Sequence, residues 1–346
     1  MKIKKDKLPY LILLIPFLIG GIAGVTDYFN STRIEEEKEL TLLAENAFGD
    51  IPVNFPEYAV KESLDSTFFV SDNVPAEDFA RLVNVYKYNK DLKLTLEDAS
   101  NIAGIFDLTT TGETQPDGSV IFIGPGNTAL TFWETSQQLS YYSSNIDYSA
   151  QKPALENIQN LAISLLERFN LKNYDFSPYS QGASYLIKEG AEYPKEGSPN
   201  NYDSINLPFV RNVPIFKTTS LPYNKYLLSF TYGPGNTLLS LNLFYVPLAN
   251  SSVSTYVLKS FEQAKSEVSL GNGKIVSVDL PLDYYRRVNF SIPEIKSFSA
   301  TSFGVFYLDR QNLDFLQPVF VFEGLASFLD GNSYKATLYT EAVLPK

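Results

Sequence analysis

The chain contains no cysteine and no histidine. Without cysteine it forms no disulfide, offers no thiolate to a metal and carries no lipid-modified N-terminal cysteine. Without histidine it lacks the commonest general base and the commonest metal ligand. Positive charge is scarce as well: 28 Lys and Arg stand against 39 Asp and Glu, a formal net charge of −11. Lys2, Lys4, Lys5 and Lys7 against Asp6 put the first seven residues at +3, so the remainder of the chain carries −14. An acidic body with no basic stripe repels phosphate backbones, and nucleic acid is excluded as a partner. Tryptophan occurs once, as Trp133.

What is abundant is aromatic and apolar. Hydrophobic residues make up 44% of the 346 and charged ones 19%, a globular balance with room for two or three modules. Phe and Tyr number 25 and 23, and with frequent Val, Ser and Thr they favour strands, whose pleated, half-buried surface suits such side chains. Near the N-terminus, Leu8 to Val25 is an apolar run of 18 residues without a charge. As a helix it is about 27 Å long, close to the roughly 30 Å hydrocarbon core of a bilayer. Lysines before it and Asp27 and Glu35–Glu37 after it predict an N-terminus inside and a body outside. Cleavage after Ala23, with Gly21 and Ala23 as the small residues of a signal peptide, is the alternative; the long run without A-x-A favours an uncleaved anchor.

Thr32-Arg33-Ile34-Glu35 has the form of a capping box, and Leu40, Leu43, Ala44 and Ala47 recur at helical spacing up to Gly49. This predicts an acidic stalk or lid helix, followed over residues 50–80 by an extended linker with a short strand near Thr67–Val70. Three further helix starts follow. Thr95-Leu96-Glu97-Asp98-Ala99 opens one with apolar positions Leu96, Ala99, Ile102 and Ala103. Ala154-Leu155-Glu156-Asn157-Ile158, behind Pro153, opens the longest, with Leu155, Ile158, Leu161, Leu165 and Phe169 on one side but no capping hydroxyl. Ser260-Phe261-Glu262-Gln263-Ala264 opens the last. Their starts lie 59 and then 106 residues apart, which excludes a strict tandem repeat. Strand patterns follow each helix, and Gly-Pro-Gly-Asn-Thr occurs twice, at 124 and 233, between aromatic runs. Its composition predicts a hairpin turn, with Gly supplying positive φ.

A helix followed by a meander, used three times, predicts an α+β fold of antiparallel sheets, each covered by a helix, behind one N-terminal transmembrane helix. The expected organisation is 1–25 basic tip and anchor, 26–82 stalk and linker, then helix-plus-meander modules at 83–150, 151–250 and 251–346. The helix opening [S/T]-apolar-Glu-polar-Ala, the hairpin after it and a closing strand such as Leu316-Gln317-Pro318-Val319-Phe320-Val321-Phe322-Glu323-Gly324 resemble PepSY-like modules. Behind a single anchor, the arrangement resembles the extracytoplasmic YycH/YycI type of bacterial envelope protein. The resemblance covers residues 83–343 and implies two or three such modules acting by protein contact rather than catalysis. It carries over no functional residue.

Motifs for chemistry are incomplete. Tyr179-Ser180-Gln181-Gly182 suggests a nucleophile elbow, but Pro178 replaces the first Gly and no histidine exists to activate Ser180. Gly271-Asn272-Gly273-Lys274 lacks the Ser/Thr and spacing of a phosphate loop. Asp309-Arg310-Gln311-Asn312-Leu313-Asp314 lacks the central Gly and distal Glu of a calcium loop. Glu35 and Glu39 lie on an exposed helix where nothing separates their pKa values. No catalytic, cofactor-binding or metal-ligating residue is expected, and no cofactor. The one candidate for ligand contact is Trp133, near Phe132, Tyr141 and Tyr142; strand alternation puts Phe132 and Trp133 on opposite faces. The expected function is a membrane-anchored extracytoplasmic interaction or regulatory module whose partner is another envelope or membrane protein. A carbohydrate- or peptide-binding surface protein is the alternative.

Overall fold

A computed structural model describes residues 37–53, 55, 60–75, 79–147, 149–188, 195–216, 218–219, 226–280, 294–310 and 313–345. The apolar run at 8–25 and the Thr32 capping box lie outside them; among the described residues no helix is long and apolar enough to cross a membrane. The structure is α+β. Residues 37–43 are helical (α1), and α2 (Leu96–Ile105), α3 (Leu155–Phe169) and α4 (Phe261–Ser269) start where the sequence predicts. At α2, Thr95 Oγ1 accepts from Asp98 N at 3.1 Å while Asp98 Oδ2 accepts from Thr95 N at 2.8 Å. At α4, Ser260 Oγ accepts from Gln263 N and Gln263 Oε1 accepts from Ser260 N. Each reciprocal pair satisfies two amides that a helix start leaves open. α3 has no side-chain cap and ends on Asn170 at φ +52°.

Strands β1 (Lys61–Val70) and β2 (Leu82–Tyr88) precede α2. After it runs a meander of β3 (Glu113–Thr114), β4 (Val120–Gly124), β5 (Thr128–Trp133) and β6 (Gln138–Ser143). Between α3 and α4 lie β7 (Phe176–Pro178), β8 (Ser184–Ile187), β9 (Lys195–Glu196), β10 (Ser204–Arg211), β11 (Thr218–Thr219), β12 (Leu228–Gly233), β13 (Thr237–Phe244) and β14 (Leu248–Val257). After α4 come β15 (Lys274–Val278), β16 (Glu294–Leu308), β17 (Phe315–Phe328) and β18 (Ser333–Glu341). They form a ten-stranded sheet, β3-β4-β5-β6-β13-β12-β10-β8-β9 with β7 on β10, and an eight-stranded sheet, β1-β16-β17-β18-β15 with β11 on β16 and β2 between β14 and β17. All pairings are antiparallel except β1–β16 and β11–β16.

The sharing of strands differs from one sheet per helix. The meander after α2 and the strands after α3 join edge to edge through β6–β13, so α2 and α3 cover one sheet and touch each other. Each group alone would leave an unpaired strand edge, and the junction removes both. α4 packs on β18, which follows it, and on β1, which precedes it. Residues 61–70, expected as linker with a short strand, are a full ten-residue strand, because β1 finds a parallel partner in the distant β16.

Two cores result. The first lies between the inner face of the ten-stranded sheet, with α2 and α3, and one face of the eight-stranded sheet; Phe122, Phe132, Phe209 and Phe230 meet Tyr307, Val319 and Tyr339 there. The second lies on the other face of the eight-stranded sheet, where Phe298, Phe320 and Phe322 receive Phe261, Ala264 and Val268 of α4. Alternation along β17 divides Val319 and Val321 from Phe320 and Phe322. Each fully buried Phe contributes about 1.5–3 kcal/mol.

From α1 onward the chain docks on the body. Glu37 pairs with Arg81 at 3.2 Å, and Arg81 also donates to Leu258 O. Asn46 N donates to Thr255 O, Ala47 N to Ser254 Oγ and Phe48 N to Tyr256 Oη, and the Phe48 ring stacks on Phe315 at 5.1 Å. The Gly-Pro-Gly-Asn segments are the tips of the β4–β5 and β12–β13 hairpins, with Gly126 and Gly235 at φ +67° and +69°. Both tips abut the connection from β6 to α3: Gly235 N donates to Gln151 O at 2.7 Å, and a Cβ on Gly126 would lie 2.4 Å from Asn145.

Candidate functional site

The outer face of the ten-stranded sheet is set by the period of two in its strands. Leu130 and Phe132 of β5, Leu139 and Tyr141 of β6, Leu241 and Leu243 of β13, and Leu228 and Phe230 of β12 are buried in the first core. Their neighbours turn the other way. Strand register places Ile121, Thr131, Ser140, Asn242 and Ser229 in one row across β4, β5, β6, β13 and β12. A second row runs Ile123, Ala129, Tyr142, Ser240, Thr231 and Asn206. None of these residues belongs to either core, and Tyr142 and Ile123 are 59% and 46% exposed. Gln138 Nε2 donates to Asn242 Oδ1 and Asn206 Nδ2 to Thr231 Oγ1, both at 2.9 Å, which holds the amides in place.

The centre of this face has no formal charge; exposed glutamates stand at its two ends, Glu113 of β3 opposite Ile121 and Glu196 of β9 opposite Leu186. Across β4, β5, β6, β13, β12, β10 and β8 the one charged residue is Arg211, and it is buried. Trp133 is half-buried on the same face as Tyr142, as alternation requires, while Phe132 is 1% exposed and Tyr141 stacks on Phe106 at 4.4 Å inside. Ala129 pairs with Tyr142, so Trp133 lies four residues along β5 from it, about 13 Å. At the rim, Asp117 is held below the usual carboxylate range by hydrogen bonds from the Ser119 hydroxyl and amide, with the Trp133 indole adding to them. Sequence alone singles out Trp133; the joining of Thr131 and Ser140 to Asn242, Ser229 and Thr231 depends on the β6–β13 pairing, which no local signal announces.

The other candidates are occupied elsewhere. Ser180 sits in a short 3-10 turn, hydrogen-bonded to the Gln159 amide. Gly271 at φ +76° turns α4 into β15, where Lys274 begins the strand. Asp309 accepts from Arg211 Nε at 3.0 Å and Nη2 at 3.1 Å and from Tyr88 Oη at 2.7 Å. Arg211 also donates to Val246 O and stacks on Phe176 at 4.6 Å. This pair, 1% and 4% exposed, bridges β10 of one sheet to the end of β16 of the other. Burial acts to lower the Arg211 guanidinium, and the charge and hydrogen bond of Asp309 together with the Tyr88 and Tyr174 hydroxyls more than offset it. Burial, with the Asp309 charge, pushes the Tyr88 hydroxyl well up. Such a pair is structural: the guanidinium Nε and Nη2 and both carboxylate oxygens are hydrogen-bonded, and both side chains are buried between the sheets. Among the described residues no three acidic side chains converge on a metal position.

No protein-family model, no curated protein and no solved structure matches this chain.

Proposed function

We propose that the chain is a membrane-tethered, extracytoplasmic binding module of the cell envelope without catalytic chemistry, and that the open face of the ten-stranded sheet is its contact surface. The observation that carries the reading is the absence of formal charge from the central strands of a broad face in a protein of net charge −11. Covering a charge strips its hydration at a cost of several kcal/mol unless it is paired, so contact surfaces are depleted in charge at their centres. The tether is the apolar run 8–25, oriented by the lysines before it. The docked segment 45–48 then ties the chain that leaves the membrane to β14. The PepSY-like resemblance supports a protein partner at the membrane surface. The Ser-, Thr- and Asn-rich rows favour a second reading, a neutral glycan.

A photoreactive residue at position 142 of the full chain, in envelope membranes, tests the contact surface. Adducts are expected there, and Thr231→Glu on the same face is expected to abolish them. The same residue at 161, an exposed position on α3, serves as the control. Equal adducts at both positions, or none at 142, would sink the assignment.

A further inference from the structure

We infer that the open face binds an extended, neutral glycan strand lying along the row Thr131–Ser140–Asn242–Ser229. This rests on the binding-module reading and adds the chemistry of the ligand.

Charge comes first. The chain beyond its first seven residues carries −14, and the face offers no cation, so an anionic polymer meets repulsion without compensation. A charged peptide would leave its own charges unpaired against neutral side chains. A neutral polyol suffers neither cost. Composition points the same way. Centres of protein–protein contacts are depleted in Ser and Ala and enriched in Met, Arg and aromatics. Here Ser140, Ser229, Ser240 and Ala129 occupy the middle of the face. Short hydroxyl and amide side chains both donate and accept, as sugar hydroxyls do, and they lose little rotamer freedom on contact.

Geometry supplies the direction. Neighbouring strands lie about 4.8 Å apart, so a row across the sheet presents one polar side chain per strand at a step close to the length of one pyranose unit. Trp133 stands two residues beyond Thr131 on β5, and Tyr142 two residues beyond Ser140 on β6 in the opposite sense across the face. The row is therefore flanked by one aromatic on each side, placed to stack on the apolar C–H faces of sugar rings. The row runs across four strands with only the gradual twist of a sheet, which suits an extended, ribbon-like β-1,4-linked chain over a coiled one.

The test uses the full chain in neutral-lipid nanodiscs, titrated by calorimetry with chitohexaose, cellohexaose, maltohexaose and polygalacturonate. Trp133 is the single tryptophan, so its fluorescence gives a second readout. Saturable binding is expected for at least one of the two β-1,4-linked hexamers, with maltohexaose at least tenfold weaker and polygalacturonate silent. Trp133→Ala and Tyr142→Ala are each expected to weaken binding about tenfold, and Ser140→Glu to abolish it. Tyr142 is 59% exposed, so its variant is not confounded by misfolding. Failure of both β-1,4-linked hexamers to bind the folded chain overturns the inference, as does binding that survives Trp133→Ala and Ser140→Glu. Glycan silence with protein adducts at 142 overturns it while leaving the binding-module proposal standing; silence with no adducts sinks both. Self-association relieved by Tyr142→Arg would assign the face to a second copy, and that too overturns the glycan.

Discussion

Removing the Asp309 carboxylate is the sharpest perturbation the structure offers. In Asp309→Ala the Arg211 guanidinium, 1% exposed, loses both oxygens of its fork and retains Val246 O and the Phe176 ring. Removing one partner of a buried pair costs about 3–5 kcal/mol, because an uncompensated charge stays behind. Tyr88 loses its acceptor in the same step, which adds about 1 kcal/mol. Against a typical total of about 5–15 kcal/mol this is a large fraction. At roughly 2–4 °C per kcal/mol for a large domain, the midpoint falls on the order of 10 °C or more. The double replacement Arg211→Met with Asp309→Leu removes both charges and fills the volume, so it is expected to be milder than Asp309→Ala. Urea melts followed by Trp133 fluorescence report the ten-stranded sheet, and far-UV circular dichroism reports the whole. Because the first core runs through both sheets, the two signals are expected to move together. A cost below about 1 kcal/mol for Asp309→Ala, or a double variant worse than that single one, would refute the reasoning.

Phe261→Asp and Ile158→Asp bury an unpaired charge and are expected to cost several kcal/mol in the same melts, whereas Leu96→Asp, at a site 52% exposed in the first turn of α2, is expected to stay within about 0.5 kcal/mol. Gly126→Val and Gly235→Val force a β-branched residue to positive φ, and thermal melts are expected to rank Gly126→Val as the costlier, since its Cβ meets Asn145 at 2.4 Å while that of Gly235 meets Ala150 at 3.3 Å. Burial raises Tyr226 and Tyr245 from 10.0 to about 12, so the neutral phenols favour the folded state. Their contribution is whole below about pH 10 and is lost as pH climbs through about 12, and alkaline melts that stay flat to pH 12 would contradict it. The chain from Thr26 onward, made without the apolar run, is expected to be soluble and to unfold cooperatively in urea; pelleting would count against the tether.

Local signals carried the helix starts and the turns. Thr95 with Asp98 and Ser260 with Gln263 are three residues apart, and their chemistry needs nothing distant. The Gly-Pro-Gly-Asn tips are likewise local, since positive φ selects Gly and Asn whatever surrounds them. The α3 stripe was read one position wide of the mark: Ile158, Ala162 and Phe169 are buried, and Leu161, about 60° around the helix from Ile158, is 44% exposed. Leu96, counted with the apolar positions of α2, is 52% exposed, because one apolar residue in the first turn does not show which way the helix leans on its sheet. Strands β2, β10 and β14 carry no clear local signal, since Asn84, Lys87, Pro208 and the Ser-rich 250–254 blur their alternation. Pro208 is tolerated within β10 although its nitrogen donates nothing. The candidate site divides in the same way. Trp133 and its separation from Phe132 follow from one strand, while its kinship with Tyr142, Asn242 and Ser229 follows from pairings up to 104 residues apart, as in the Gln138–Asn242 hydrogen bond.

The chemistry of the open face and the stability of the fold are fixed by one register. Along β13, Leu241 and Leu243 fill the first core while Ser240 and Asn242 face outward, and β12 repeats this with Leu228 and Phe230 against Ser229 and Thr231. A slip of one residue between β6 and β13 would carry the serine and asparagine into the core and the leucines out. The core would then hold polar groups without partners, each costing about 1–3 kcal/mol, and the slipped pairing is rejected on stability alone. The face is thus not a loop graft that can drift while the scaffold persists. A substitution that changes its charge leaves the leucines seated, and one that disturbs the leucines destroys the rows. That separation is why Ser140→Glu and Tyr142→Ala probe binding, and why Leu241 and Leu243 do not.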